Sequence, residues 1–168
     1  MSQSAEVSFV HQQGFRSVAD AECGARYSAL MFQPRLIGTL VAVGLVTQAW
    51  LLFLVLGAIA WWSALVPLLN PFDAVYHALV AGPKRLPSLA PAPGPRRFAQ
   101  GMAGTFMLGI AISLHLRSWV LAWALEGLLV AALAALIFGK FCLGSYVFHL
   151  VRGEASFANR TLPWSRRA

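Results

Sequence analysis

Charge is what this sequence has least of, and acidic charge least of all: six Asp and Glu stand against thirteen Lys and Arg in 168 residues. Charged residues make up 11% of the chain, where a soluble domain carries about 25%. With 58% hydrophobic residues and a mean hydropathy of +0.66, the chain cannot cover itself with polar surface, which excludes an ordinary soluble domain. Cysteine is scarce too. Cys23 and Cys142 are the only two, too few for a disulfide framework. The first thirty residues lack a continuous apolar stretch and carry Glu6, Arg16, Asp20, Glu22 and Arg26, so no cleavable secretory signal is expected and insertion falls to the first span. His, Cys, Asp and Glu nowhere recur at metal-ligand spacing, so no metal site is expected. The basic residues are not interleaved with aromatics, which argues against nucleic acid as a partner.

What is present is apolar length. From Leu36 to Phe72 no side chain is charged, and these thirty-seven residues are roughly twice what one helix needs to cross a bilayer. A second stretch, from Phe98 to Gly139, is broken only by His115, Arg117 and Glu126. The pattern predicts an all-α integral membrane four-helix bundle built from two transmembrane hairpins. The polar interruptions Thr47-Gln48 and His115-Leu116-Arg117-Ser118 mark the tips, giving spans of 36 to 48, 51 to 69, 98 to 114 and 119 to 139. The corresponding segments are an N-terminal arm (1–30), a first hairpin (31–81), a Pro-rich linker (82–97), a second hairpin (98–151) and a basic tail (152–168). Twelve of the thirteen Lys and Arg lie outside the hairpin tips, Arg117 being the exception. By the positive-inside rule the arm, linker and tail, and so both termini, are expected on the cytoplasmic side of a bacterial inner membrane.

The linker holds five of the nine prolines and reads as a semi-rigid strap. Arg35, Lys84, Arg85, Arg96, Arg97 and Arg152 are expected to contact lipid headgroups, anionic ones included, since a basic residue near such a surface gains about 1 kcal/mol. The halves echo each other. Pro34-Arg35 and Pro95-Arg96 open the hairpins, Trp50 and Trp119 follow the tips, and Val75-Tyr76-His77 and Val147-Phe148-His149 close them. This suggests an internal parallel repeat. On the third span, Gly101, Gly104 and Gly109 with Ala103 and Ala111 allow close helix approach.

Few side chains carry chemistry. Glu126 is the single carboxylate inside a span, where it costs about 2.5 to 3.5 kcal/mol on insertion scales. It is expected to face the bundle, as a clasp to Arg117 or His115 or as a proton relay. His77 and His149, at matching helix ends, are candidate haem or (bacterio)chlorophyll ligands, although an interfacial role at a helix C-terminus is favoured. Cys142 is a candidate thiol whose acidity Lys140 could raise, against the plainer reading of a small buried hydrophobe.

Pro95-Arg96-Arg97-Phe98-Ala99-Gln100-Gly101, the two spans after it, and Phe141-Cys142-Leu143-Gly144 ahead of Tyr146 resemble a family of small bacterial membrane proteins known as domain of unknown function 4395. The resemblance covers roughly residues 33 to 151. It implies a four-span inner-membrane protein, and the family's Cys-Leu-Gly-Cys exit implies thiol redox or metal chemistry. Here the second cysteine is replaced by Ser145. Cys-x-x-Ser keeps a nucleophile that cannot resolve a mixed disulfide locally.

The expected role is non-catalytic: an accessory or structural subunit that joins other integral membrane subunits through Trp-rich, small-residue helix faces, with no cofactor required. Two alternatives stand behind it, a membrane thiol-redox or sulfur-handling protein using Cys142, and a haem- or (bacterio)chlorophyll-binding subunit.

Overall fold

A computed structural model describes residues 2–16, 20–83, 91–163 and 165. These are helical almost throughout, with no strand among the described residues. The N-terminal arm forms α1 (Ser2–Gln12) and α2 (Asp20–Leu30). The first hairpin is α3 (Phe32–Thr47) and α4 (Trp50–Leu65), and α5 (Pro71–Tyr76) follows it. The second hairpin is α6 (Gly94–His115) and α7 (Trp119–Ile137). Two short helices close the chain, α8 (Leu143–Val151) and α9 (Ala155–Arg160). Three helical stretches are long and apolar enough to cross a bilayer: Arg26–Thr47, Gly94–His115 and Trp119–Ile137. They mark a membrane protein. The apolar α4 is shorter, at 16 residues.

The tips fall at the polar interruptions, for a backbone reason. Gln48 and Arg117 take left-handed conformations, with φ of 50° and 55°, which end one helix and turn the chain before the next. Bonds at the opposite end tie the helix termini together. Arg96, at the start of α6, donates to Gln33 at the start of α3 (2.9 Å). Arg97 donates to the carbonyl of Ala64 at the end of α4 (2.7 Å). Lys140, just past α7, pairs with Glu6 of α1 (2.8 Å). Helices α3, α4, α6 and α7 therefore alternate in direction, and the arm sits at the end where α3 starts and α7 finishes. The arm shares a hydrophobic cluster with Cys142, through Phe9, Val10, Cys23, Tyr27 and Leu30.

Lipid tails are as apolar as leucine, so helices in a bilayer associate by close packing. Helix α4 meets α6 at glycines. A methyl group added at Gly104 would lie 2.8 Å from Trp61 and 3.1 Å from the Gly57 carbonyl, and one at Gly57 3.1 Å from the Gly104 carbonyl. The core beside this seam holds Phe53, Leu56, Met107, Ile110 and Leu129.

Three boundaries differ from the sequence reading. The second span does not run through Pro67. Helix α4 stops at Leu65, and Pro67 opens a separate 3₁₀ turn, Pro67–Leu69, because proline has no N–H to continue the ladder. Asn70 then caps α5 by accepting from the Phe72 N–H (3.1 Å). The fourth span ends at Ile137, and Cys142 begins a new helix instead of closing the old one. The break is enforced by Gly139, where a Cβ would lie 2.6 Å from the Ala135 carbonyl, and by Lys140 at φ 52°. The linker is shorter than expected, since Gly94–Arg97 form the first turn of α6 with Pro95 at its favoured N-terminal place. Lys84 and Arg85, expected at headgroups, lie outside the described residues, as does part of the strap.

Candidate functional site: a cleft with a buried polar end

Arg96 is the largest departure from the sequence reading. Counted there as a headgroup contact, its side chain is only 6% exposed. It anchors a polar network that spans four helices. Its Nη2 donates to Gln33 Oε1 (2.9 Å) and pairs with Asp73 (3.2 Å). Asp73 also accepts from Asn70 (2.9 Å), and Asn70 from Ser63 (3.0 Å). Gln100, one turn along α6, donates to the same Gln33 oxygen (3.0 Å). Two buried atoms of this network have no partner among the described residues: Nη1 of Arg96 and Oε1 of Gln100. Sequence reasoning missed the network. Its signal was present in Gln33 and Gln100, uncharged polar residues flanking apolar stretches, and in the capping pattern Asn70-Pro71-Phe72-Asp73.

The network forms one end of a cavity of about 190 Å³. Helix α6 supplies its floor from Arg96 to Met107, α7 one wall from Leu128 to Leu136, and Gln33, Pro34 and Ile37 of α3 the other. Phe9, Gln13 and Leu30 of the arm, with Cys142 and Gly144, close the polar end, and Leu143, which also lines the cleft, is exposed. Gly144 permits this closure, since a Cβ there would lie 2.7 Å from Ala99.

Cys142 is buried at the cleft edge, with its backbone N–H donated to Gln12 Oε1 (3.0 Å). Lys140, expected to act on its thiol, is paired with Glu6 instead and lies over the Tyr27 ring. Ser145 is fully buried and donates to the Pro95 carbonyl (3.3 Å). Both cysteines are buried, and no disulfide joins them.

His77 and His149 are not equivalent. His77 is exposed. His149 is 1% exposed, with Nε2 donating to the Gln12 carbonyl (3.1 Å) and Nδ1 facing Glu154 (2.8 Å) and Arg16 (3.3 Å). No ring nitrogen of His149 is left for a pigment metal. Arg16 also pairs with Glu154, and the bonds from His149 and Arg16 hold the Glu154 carboxyl below its ordinary range. Glu126 does face inward, as expected, but its partner is neither Arg117 nor His115, which are exposed. Gln48, at the tip of the other hairpin, donates to both its oxygens (3.3 and 3.5 Å). His115 packs against Trp50 with the rings tilted at 52° and their centres 4.7 Å apart. Arg35 and Arg152 are exposed. Among the described residues no cluster of His, Cys, Asp and Glu is arranged to hold a metal.

These features define an all-helical membrane protein with an apolar cleft closed at one end by a buried arginine and two glutamines. Residues 27–152 match domain of unknown function 4395 (DUF4395), and the chain belongs to that family. No curated protein and no solved structure gives a significant match.

Proposed function

We propose that this protein is a non-catalytic accessory subunit of a larger membrane assembly, held in a bacterial inner membrane as a four-helix bundle of α3, α4, α6 and α7 with both termini cytoplasmic. One observation carries the reading. In the spans, Gly38, Gly44, Gly57, Gly104 and Gly109 each lie at a close contact with another side chain or helix and Gly101 at an ordinary one, whereas a Cβ at Gly127 would meet nothing within 4 Å. Gly127 lies on the outward face of α7 with Ala124 and Ala131, all exposed, at the small-residue spacing that lets a further helix approach. Trp119 and Trp123 border the face and are 46% and 61% exposed. Only 17% of the α7 span is buried, against 39% and 44% for the other two.

Supporting points bear on the arrangement. Helix α4, with 16 residues at roughly 1.5 Å each, is about 24 Å long, and a locally thinned bilayer accommodates it as a fourth span. The order hairpin, break, short helix occurs in both halves, with left-handed tips at Gln48 and Arg117, in keeping with an internal repeat. Exposed Arg35 and Arg152 suit anionic headgroups, and no role for nucleic acid is proposed. The test is a photoreactive residue at Val120 or Ala124 in native membranes. A discrete adduct with a different membrane protein is expected, and adducts with lipid alone would refute the reading.

Thiol-redox or sulfur-handling chemistry at Cys142 is the second reading, favoured by the position of Cys142 on the cleft. If Cys142→Ala leaves growth under thiol stress and the set of trapped thiol partners unchanged, it fails.

A further inference from the structure

Helices α3 and α7 share a core but do not close against each other along their whole length. Near the arm they come together at Gly38, where an added Cβ would lie 3.0 Å from Ile137. At the far tip Gln48 reaches Glu126 (3.3 Å). Between these two contacts lies a second groove, of about 520 Å³, within the size range of ligand sites. Val41, Ala42 and Leu45 of α3 form one wall and Val130, Leu133 and Ala134 of α7 the other. It faces outward, since Ala42 and Val130 are exposed. At 3.6 residues per turn its α7 wall lies about 100° around the helix from Ala124, Gly127 and Ala131, so the groove is separate from the face proposed for a partner.

Its polar content is all at one end. Arg35 and Thr39 are the polar residues that line it, and the Thr39 hydroxyl donates to the Arg35 carbonyl (3.0 Å), so past Arg35 the side chains present apolar surface alone. Arg35 is exposed and forms no ion pair among the described residues. Glu6, Asp73, Glu126 and Glu154 are engaged elsewhere, by Lys140, Arg96, Gln48 and Arg16. A guanidinium matches a phosphate through two parallel N–H bonds. From Arg35 to Leu45 is ten residues, about 15 Å of helix at roughly 1.5 Å each, half of a hydrocarbon core of roughly 30 Å. Exposure alone suits Arg35 to headgroups in general; the groove makes it one end of a defined site, a free cation followed by an apolar channel as deep as one leaflet.

We propose that the groove between α3 and α7 holds one diacyl phospholipid with a singly charged anionic headgroup, its phosphate on the Arg35 guanidinium and one acyl chain along Val41, Leu45 and Leu133. The experiment uses the full chain in phosphatidylcholine nanodiscs that carry, at equal mole fraction, either phosphatidylglycerol or phosphatidylcholine with a photoreactive diazirine midway along one acyl chain. The purified chain has no partner present, so the outcome is independent of the subunit reading. Adducts on the groove walls are expected to be at least about fivefold more abundant with the anionic lipid, while adducts on Val55, exposed on α4, should be equal for the two. Arg35→Gln should bring the groove ratio close to one and leave the Val55 adducts unchanged. Ala134→Trp should remove the groove adducts by filling the site, and Ala42→Trp, from the opposite wall at an exposed position, should do the same. Equal groove labelling by the two lipids, a ratio unmoved by Arg35→Gln, or groove adducts that survive both tryptophan variants would each overturn the proposal.

Discussion

Two glycines on neighbouring spans should behave in opposite ways when enlarged, and the contrast separates a helix face that is filled from one that is waiting. Gly104 faces α4, where an added Cβ would lie 2.8 Å from Trp61 and 3.1 Å from a backbone oxygen that cannot move aside. Overpacking of this kind costs about 1 to 3 kcal/mol. The gain in helix propensity on leaving glycine, about 0.8 to 1.0 kcal/mol, offsets only part of it, so Gly104→Leu should lower the stability of the purified chain. Gly127 has open space around it. Gly127→Leu should therefore leave the isolated chain as stable as before, or slightly more so. In the proposed assembly the same leucine would meet the partner helix, and 1 to 3 kcal/mol of overpacking corresponds to roughly a 5- to 150-fold loss of affinity. The assay is thermal unfolding of each purified variant in mild detergent, beside recovery of the partner from native membranes. If Gly127→Leu destabilises the isolated chain as Gly104→Leu does, or leaves partner recovery unchanged, the reasoning is wrong.

Other substitutions address the remaining contacts. Glu126→Gln keeps an acceptor for Gln48, so it should cost about 1 kcal/mol or less of stability and leave cellular function intact; loss of function at unchanged stability would make Glu126 a proton carrier instead of a clasp. The depressed Glu154 carboxyl, held by His149 and Arg16, contributes stability that is present above the ordinary carboxylate range near about 4.3 and is lost as pH falls through its lower folded value. Proteolysis of α1 should accordingly speed up progressively as pH falls below about 4.3, and Glu154→Gln should remove that dependence. Cys23 and Cys142, both buried, should resist a charged maleimide in native membranes and react once the chain is denatured; rapid native labelling of Cys142 would favour the thiol reading.

The sequence made the spans legible because uninterrupted apolar length has few other uses, and the tips legible because Gln48 and Arg117 sit in the only polar breaks. It hid the ends of α4 and α7. Pro67 and Gly139 were visible as residues, but their effect depends on a 3₁₀ turn and on a left-handed Lys140. Charge counting placed Arg96 with the headgroups, since a count cannot tell a cation in water from one 6% exposed between Gln33 and Asp73. The matching of His77 to His149 failed for a similar reason. Similar positions in sequence gave one exposed ring and one buried among α1, Arg16 and Glu154. The N-terminal arm, which lacks a continuous apolar stretch, has enough apolar residues in Phe9, Val10, Tyr27 and Leu30 to dock beside Cys142.

The claim that matters most is that the open face of α7 belongs to another protein. Native mass measurement of the chain extracted with its surrounding lipid, without detergent exchange, tests it directly. The account predicts a mass well above 18.2 kDa that includes at least one different membrane polypeptide in fixed ratio. A chain that emerges alone, or only as copies of itself, would contradict it.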